Sequence, residues 1–311
     1  MTTLVFPGQG SQFLGMSKDF YENFNSARKI FQKVENSTNI NIKEIIFENR
    51  DNLLDITKYT QLCVFSASMA IFEVFKELFG KKDLFLDINY VLGHSLGEYS
   101  ALVVSSAISL EDCSKLLKIR GELMQDAYPE NQSGMAAVLG LNCKDIELII
   151  KDFSLNIEVA NDNTPEQVVI SGIIEDINKA KEILILNGAK KFVNLNVSAA
   201  FHSRIMKKAE EKMKKSLSQV NFTDPLYPII SNYSATASKD KLIIIDNLSK
   251  QMSNRVNWVN SIKLLERENE NIIIEIGPGK ILTQIIRKIS KNFNHFNVNE
   301  VNDIVVLNNA T

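Results

Sequence analysis

An apolar run, a glycine–serine–glycine turn and a helix-like run follow one another without interruption near residue 90. The run "INYVL" precedes Gly93-His94-Ser95-Leu96-Gly97, and "GEYSALVVSSA" continues from it. In a tight turn from a strand into a helix, glycines leave room where side chains would collide, and the serine stands at the carboxyl end of the strand. This feature predicts a sheet covered by helices, with a serine hydroxyl presented at the sheet edge.

The same five residues have a second interpretation, an ordinary glycine-rich turn in which the serine caps a helix. The strand-like segment before Ser95 and the helix-like segment after it favour a nucleophile instead. In that case the N–H of Leu96 can stabilise an oxyanion. A serine hydroxyl is a weak nucleophile at neutral pH, so it also needs a base.

Three histidines are available for that role, and their settings differ. His94 is adjacent to the serine, and in such a turn its side chain should point elsewhere. His295 lies in "KNFNHFN", a polar stretch after Phe293 in which we expect a solvated side chain and a loose tail. His202 follows a predicted strand and precedes a predicted helix, so it is our candidate for the base.

No acid completes a hydrolase triad in the order serine, acid, histidine. Asp162 and Asp176 lie between Ser95 and His202, but neither follows a strand of the predicted main sheet. The missing acid argues against a plain esterase, and another group would have to orient the imidazole.

A change of pattern divides the chain. Residues 127–196 predict the order β-α-β-β-α-β, which is that of a ferredoxin-like α+β module. The flanking segments, 1–126 and 197–311, predict alternating strands and helices, including a helical region at about 20–35 and a buried helix that ends at Gly80. We expect an α/β catalytic core with a mostly parallel sheet, interrupted by this small subdomain.

Composition excludes several classes of protein. The chain has 311 residues, 45% of them hydrophobic, and a formal net charge of −2, so it can bury a large core and has no basic bias toward nucleic acid. No apolar run is long enough for a membrane span, and no signal-peptide pattern opens the chain. Its cysteines, Cys63, Cys113 and Cys143, are too scattered for a disulfide framework or a zinc site. We expect a cytoplasmic protein, monomeric at this size, without nucleic-acid or membrane partners.

The chain resembles the malonyl-CoA:acyl carrier protein transacylases in eight motifs, which follow one another in the same order along the sequence. The resemblance implies an α/β hydrolase-like fold for the core. The motifs are "FPGQGSQ" (6–12), "GHSLGEYSALV" (93–103), "IRGELMQ" (119–125), "GMAAVLGL" (134–141), "ANDNTPEQVVISG" (160–172), "VSAAFHS" (197–203), "QMSNRVNW" (251–258) and "EIGPGKILT" (275–283). Together they span nearly the whole chain, which makes the resemblance much more specific than the elbow alone.

The resemblance implies a role for each matching residue. Ser95 corresponds to the acyl-carrying nucleophile, His202 to its base, and Gln251 to the residue whose main-chain carbonyl replaces the triad acid. Gln9 and Leu96 correspond to the two oxyanion-hole donors. Further matches concern the substrate: Arg120 at the malonyl carboxylate, and Asn161, Asn163 and Gln167 in a loop beside the active-site gorge.

The implied reaction is ping-pong transfer of malonyl from malonyl-CoA to the phosphopantetheine thiol of acyl carrier protein, in support of fatty-acid elongation. A planar, permanently charged guanidinium suits the carboxylate that distinguishes malonyl from acetyl, although a surface helix arginine has the same sequence signature. We expect no metal and no organic cofactor, because thioester exchange is nearly isoenergetic and needs only positioning and oxyanion stabilisation.

Two departures from the usual motif are present, and the first keeps the pathway open. Ala199-Ala200-Phe201 also resembles the free-standing malonyl acyltransferases that load polyketide synthases in trans. Arg255 stands where proline is frequent, so we expect a slightly different turn after Gln251. A serine hydrolase is a further alternative, which the missing acid and Arg120 disfavour. A non-catalytic carrier-protein-binding module is the last, disfavoured by the intact Ser95 and His202.

Overall fold

A computed structural model describes residues 1–79, 88–129 and 131–310 of the chain, with side chains as far as Leu307. In chain order its elements are β1 (Thr2–Phe6), α1 (Lys18–Asn23), α2 (Asn25–Thr38), α3 (Ile42–Phe47), α4 (Thr57–Phe79), β2 (Ile88–Gly93), α5 (Gly97–Val104), α6 (Leu110–Gln125), β3 (Ser133–Leu139), α7 (Cys143–Asp152), β4 (Ile157–Thr164), β5 (Gln167–Ile173), α8 (Ile174–Leu186), β6 (Lys191–Asn194), a 3₁₀ turn (Arg204–Met206), α9 (Lys207–Ser218), β7 (Ile229–Ile230), β8 (Ala237–Ser238), α10 (Lys241–Gln251), α11 (Trp258–Arg267), β9 (Ile272–Ile276), α12 (Ile281–Ile289), β10 (Asn294–Val298) and α13 (Val301–Ala310).

The larger sheet has the strand order β10-β9-β1-β2-β7-β8 and is parallel except for β8. Its central strands, β1 and β2, end side by side, with Phe6 opposite Gly93. The loop after β1 and the turn after β2 therefore leave the sheet at the same edge, which is where open α/β sheets place their ligands.

Helix α4 is buried in the core, as its sequence pattern predicts. Its apolar residues lie on most faces of the helix, and the helix packs against α2 and α6 under one side of the large sheet. A predominantly apolar helix is stable only when it is enclosed in this way. The predicted stop at Gly80 lies outside the described residues.

The smaller sheet is antiparallel, with the order β4-β5-β3-β6, and α7 and α8 cover one of its faces. Numbered within the module, that is second-third-first-fourth, the ferredoxin-like arrangement that the sequence predicts. Side chains alternate between its two faces, as strand geometry requires. Ala136 and Val138 face α7 and α8, whereas Met135 and Ala137 join the large core. All these elements lie inside residues 127–196, and the status of that segment as a separate domain remains a prediction.

The helical region predicted at 20–35 is confirmed and consists of two helices, because the backbone of Phe24 is extended (φ −124°, ψ 129°) between α1 and α2. One expectation is wrong. The tail after Phe293 is ordered: β10 pairs in register with β9, and α13 buries Ile304 and Leu307. His295 accordingly lies within a strand and is not solvated, since both of its ring nitrogens are buried.

Across the described parts of the chain, no helix is both long and apolar enough to cross a membrane.

Candidate active site

The turn that carries Ser95 can be built only with glycine at both flanking positions. A Cβ on Gly93 would lie 2.0 Å from the carbonyl carbon of Gly97, and one on Gly97 would lie 2.1 Å from the carbonyl oxygen of Phe6. Ser95 itself adopts φ 52°, a left-handed conformation that side chains rarely occupy. Strain of this kind persists where surrounding contacts hold it in place.

Asn232 supplies those contacts. Its Oδ1 accepts a 2.6 Å hydrogen bond from the N–H of Ser95, and its Nδ2 donates to the carbonyl of Gly93 at 2.7 Å. One buried side chain thus bridges the two sides of the bend. Asn232 follows β7, the strand next to β2, so the strand order of the sheet brings it to the elbow.

Ser95 and His202, 107 residues apart, meet at this edge of the sheet. Ser95 Oγ lies 2.8 Å from His202 Nε2, and His202 Nδ1 lies 2.9 Å from the main-chain oxygen of Gln251. Because a carbonyl only accepts, Nδ1 carries the proton and donates it to Gln251, which leaves the lone pair of Nε2 facing the serine hydroxyl. A main-chain carbonyl therefore occupies the place of the absent acid.

His202 is buried, with 4% of its surface exposed. Burial, followed by the nearby charge of Arg120, lowers the pKa of this imidazole to about 3. The imidazole is therefore neutral at physiological pH and able to accept a proton.

Arg120 reaches the same point from α6 and is almost entirely enclosed, with 1% exposure. Its Nη2 donates to Ser95 Oγ at 3.0 Å and to Gln251 Oε1 at 2.9 Å, and its Nη1 donates to Gln61 Oε1 at 2.6 Å. The guanidinium carbon lies 5.3 Å from the ring centroid of Tyr99. Among the described residues, no carboxylate forms an ion pair with it, although buried arginines ordinarily have one.

The buried carboxyl group of Glu98 is separated from the Arg120 guanidinium by one side chain, that of Gln251. Its Oε2 accepts from Gln251 Nε2 at 2.8 Å and from the N–H of Asn232 at 3.1 Å. Burial outweighs these donors and raises the pKa of Glu98 to about 7. The amide of Gln251 thus separates the carboxyl group from Arg120 and is held in one orientation by both.

The loop after β1 lies against the elbow. The N–H of His94 donates to the carbonyl of Phe6 at 3.0 Å, and a Cβ on Gly8 would come within 2.4 Å of the carbonyl oxygen of His94. Gln9 anchors the loop through a 3.2 Å hydrogen bond from its Nε2 to Thr57 Oγ1. Within residues 1–79, 88–129 and 131–310, the N–H groups of Gln9 and Leu96 donate to no protein acceptor, which leaves them available to a ligand oxygen.

The remaining predicted residues spread along the small sheet. Asn163 Oδ1 lies 2.9 Å from His94 Nε2, so His94 faces away from the serine hydroxyl as expected. Asn161 is buried and bridges to Val256 beside the turn that follows Gln251. Gln167 is opposite Thr164 at the hairpin end, and none of its hydrogen bonds within the described structure reaches Ser95 or His202.

Sequence reasoning missed three polar contributors. Glu98 stands inside the quoted elbow motif, and Asn232 follows a predicted strand, a position at which ligand-binding groups are common. Gln61 was detectable only as one polar residue among several in a predominantly apolar helix. Within the described residues, no group of three or more His, Cys, Asp or Glu side chains could hold a metal ion.

The site at the edge of this α/β sheet is suited to acyl transfer, as the motifs imply. It combines a serine on a sharp turn, a histidine oriented by a main-chain carbonyl and a buried arginine. The chain belongs to the acyl transferase domain family, whose match covers residues 3–308.

Two curated relatives of the chain carry the same name, which states an activity. The malonyl CoA-acyl carrier protein transacylase of Bacillus subtilis is 37% identical over 92% of this chain and 90% of its own length. The enzyme of that name from Staphylococcus aureus (strain MRSA252) is 36% identical over 97% of both chains.

Solved structures agree with the fold. The acyl-carrier-protein-S-malonyltransferase of Bartonella henselae matches with a TM-score of 0.94 and 37% identity over 99% of this chain and 98% of that one. A malonyl-transacylase solved in complex with its type II polyketide synthase acyl-carrier protein matches with a TM-score of 0.94 and 30% identity, over 100% of this chain and 99% of that one.

Proposed function

We propose that this protein transfers the malonyl group of malonyl-CoA to the phosphopantetheine thiol of an acyl carrier protein, through a malonyl ester on Ser95. It is an acyltransferase by family, and the curated relatives named above carry this activity in their names. Acyl carrier protein is the partner that those names and the solved complex indicate.

In the first half-reaction, Ser95 Oγ attacks the thioester carbonyl while His202 Nε2 takes the hydroxyl proton. The 2.8 Å contact supports this assignment, and the neutral state of His202 leaves the lone pair of Nε2 free to accept the proton. The charge that develops on the carbonyl oxygen faces the N–H groups of Gln9 and Leu96. Collapse of the tetrahedral intermediate breaks the C–S bond, and the CoA thiolate leaves with the proton from His202.

The second half-reaction runs the same steps in reverse order. His202 takes the proton of the phosphopantetheine thiol, the thiolate attacks the ester carbonyl of malonyl-Ser95, and Oγ leaves with that proton. One bond is formed and one is broken in each half-reaction, so no redox step arises. We propose that neither half-reaction uses a metal or an organic cofactor.

The choice of malonyl depends on one observation: the buried guanidinium of Arg120 has no carboxylate partner among the residues that the structure describes. A buried charge without a counter-charge is costly, and that cost is relieved if the partner arrives with the substrate. In malonyl-Ser95 the free carboxylate is three bonds from Oγ, and Arg120 Nη2 already contacts that oxygen at 3.0 Å. An acetyl group would leave the cation unpaired.

Malonyl loading is tested by mixing the protein with radiolabelled malonyl-CoA in the absence of any carrier protein. The proposal expects label on native protein and its release when a phosphopantetheinylated carrier protein is added. Parallel lines in double-reciprocal plots would support the ping-pong order. Absence of label from the folded protein would remove the proposal.

The pathway has a second candidate. Ala199-Ala200-Phe201 and the similarity to a polyketide malonyl-transacylase favour a polyketide carrier protein as an alternative acceptor to the fatty-acid carrier. Rates of malonyl transfer to one purified carrier protein of each kind decide between them. The "ANDN" loop (160–163) favours the fatty-acid carrier, and a cytoplasmic monomer suffices for either.

A further inference from the structure

We propose that Gln61 is a specificity-determining residue, because it holds Arg120 with a neutral hydrogen-bond acceptor and leaves the charge of the arginine free for the acyl group. The inference deepens the proposed malonyl transfer and rests on it. It concerns a residue of α4 that none of the sequence motifs includes.

The contact is short and fully enclosed. Gln61 has no exposed surface, and its Oε1 lies 2.6 Å from Arg120 Nη1. Only the carbonyl oxygen of the amide can accept from a guanidinium, and the amide nitrogen in turn donates to Met124 Sδ at 3.3 Å. Arg120 and Met124, one turn apart on α6, therefore fix the orientation of this amide.

Close packing of α4 on α6 makes the contact possible. Gly121 lies against the backbone of Lys58, where a Cβ would stand 2.8 Å from the Cα of that lysine. The two helices consequently approach closely beside Arg120, one turn from Gln61.

Gln61 gives Arg120 a hydrogen-bond acceptor that carries no negative charge. An amide oxygen satisfies a guanidinium N–H without cancelling its charge, whereas a glutamate of the same shape would form a buried ion pair. The second acceptor, Gln251 Oε1, is also a neutral amide, and the nearby Glu98 contacts Gln251 Nε2 instead of the arginine. Each direct side-chain acceptor of Arg120 in the described structure is thus uncharged, so a malonyl carboxylate would not have to displace another carboxylate from the guanidinium.

Two variants separate charge from packing. In Q61E the hydrogen-bond acceptor and the volume are kept, but an internal carboxylate is added; in Q61M the acceptor is lost and the arginine charge stays uncompensated. Single-turnover kcat/KM for acylation of Ser95 is measured for each with malonyl-CoA and with acetyl-CoA. Thermal melting establishes that each variant is folded.

The proposal expects Q61E to lower the malonyl-to-acetyl ratio by roughly 10-fold or more, because the substrate carboxylate must displace an internal one. Q61M should keep a clear preference for malonyl. A packing or hydrogen-bonding role predicts the reverse order, since Q61E is then the milder change. Equal ratios in Q61E and the native protein, or loss of the preference in Q61M, would overturn the proposal.

If Q61E does not fold, Q61M decides alone: a retained malonyl preference supports the neutral-acceptor role and a lost one refutes it. Failure of the inference is distinct from failure of the proposed function. In the first case the native protein is still labelled by malonyl-CoA, and in the second it is not.

Discussion

Arg120 Nη2 donates a 3.0 Å hydrogen bond to Ser95 Oγ, so a permanent cation stands directly beside the hydroxyl that His202 can deprotonate. The guanidinium is enclosed and lacks an ion-pair partner among the described residues. This arrangement links two properties of the site, since the group that contacts the attacking oxygen is also the group best placed to hold the far end of the acyl chain.

Replacement of Arg120 by Ala should lower acylation by malonyl-CoA by about 30-fold or more, because the substrate carboxylate would lose its buried partner. Acylation by acetyl-CoA, which lacks that carboxylate, should fall much less. R120K serves as a control: it keeps the charge but not the planar pair of donors, so it should recover part of the malonyl rate. Equal losses for both acyl groups would show that Arg120 does not read the carboxylate.

Replacement of His202 by Ala should reduce the single-turnover rate of acylation on the order of 100-fold or more, because the serine loses its general base. Thermal melting checks that the variant is folded. H94A is the matched control, since His94 hydrogen-bonds Asn163 and faces away from Ser95 Oγ. An unchanged rate in H202A would require a different base.

The acylation rate should show no acid limb near 6.5, the ordinary pKa of a histidine. Burial lowers the pKa of His202 to about 3, so the imidazole stays neutral until the pH falls through that much lower value. Because the pKa of His202 is lower in the folded protein, its contribution to the free energy of unfolding is fully present above pH 6.5 and is lost as the pH falls toward about 3. E98Q removes a buried group of the site that does titrate in the working range, since burial raises the pKa of Glu98 to about 7. A limb near 6.5 that persists in E98Q would contradict the assignment.

Replacement of Asn232 by Ala should lower kcat and also cost about 1–3 kcal/mol of stability, because the N–H of Ser95 and the carbonyl of Gly93 both lose their partner. Urea unfolding and steady-state kinetics measure the two effects. N247A is the comparison: Asn247 is another buried asparagine, bonded to Ser234 Oγ rather than to the elbow, and its loss should leave kcat unchanged. Native kcat in N232A would mean that the bend does not depend on this side chain.

Substitution G97A should destabilise the fold by at least about 1–3 kcal/mol, because the added methyl group meets the backbone oxygen of Phe6, which cannot move aside cheaply. In G134A the nearest atom is the flexible end of Ile174, so this strand glycine provides the matched control. The free energy of unfolding is the measurement. Comparable stability for both variants would show that the elbow tolerates a side chain.

Local patterns explain what the sequence could predict. The elbow follows from two glycines around a serine between a strand and a helix, and the small sheet follows from alternating residues and its β-α-β-β-α-β order. The elbow signal lies within a few residues and that of the small sheet within one continuous segment, 127–196, so both can be recognised without knowledge of the tertiary fold.

Contacts between distant segments escaped prediction. Asn232 reaches Ser95 only because β7 lies next to β2, and Gln61 reaches Arg120 only because α4 packs against α6. The prediction of a loose tail after Phe293 failed for the same reason. Strand β10 is short and polar, and it is stabilised by parallel pairing with β9 rather than by its own residue pattern.

Mass spectrometry of the intact protein after incubation with malonyl-CoA alone tests the central claim most directly, with peptide mapping to locate the added group. The account predicts one malonyl group per chain, on the peptide that contains Ser95, absent from S95A and lost when holo acyl carrier protein is added. A malonyl group on any other residue, or an equal degree of modification in S95A, would contradict it.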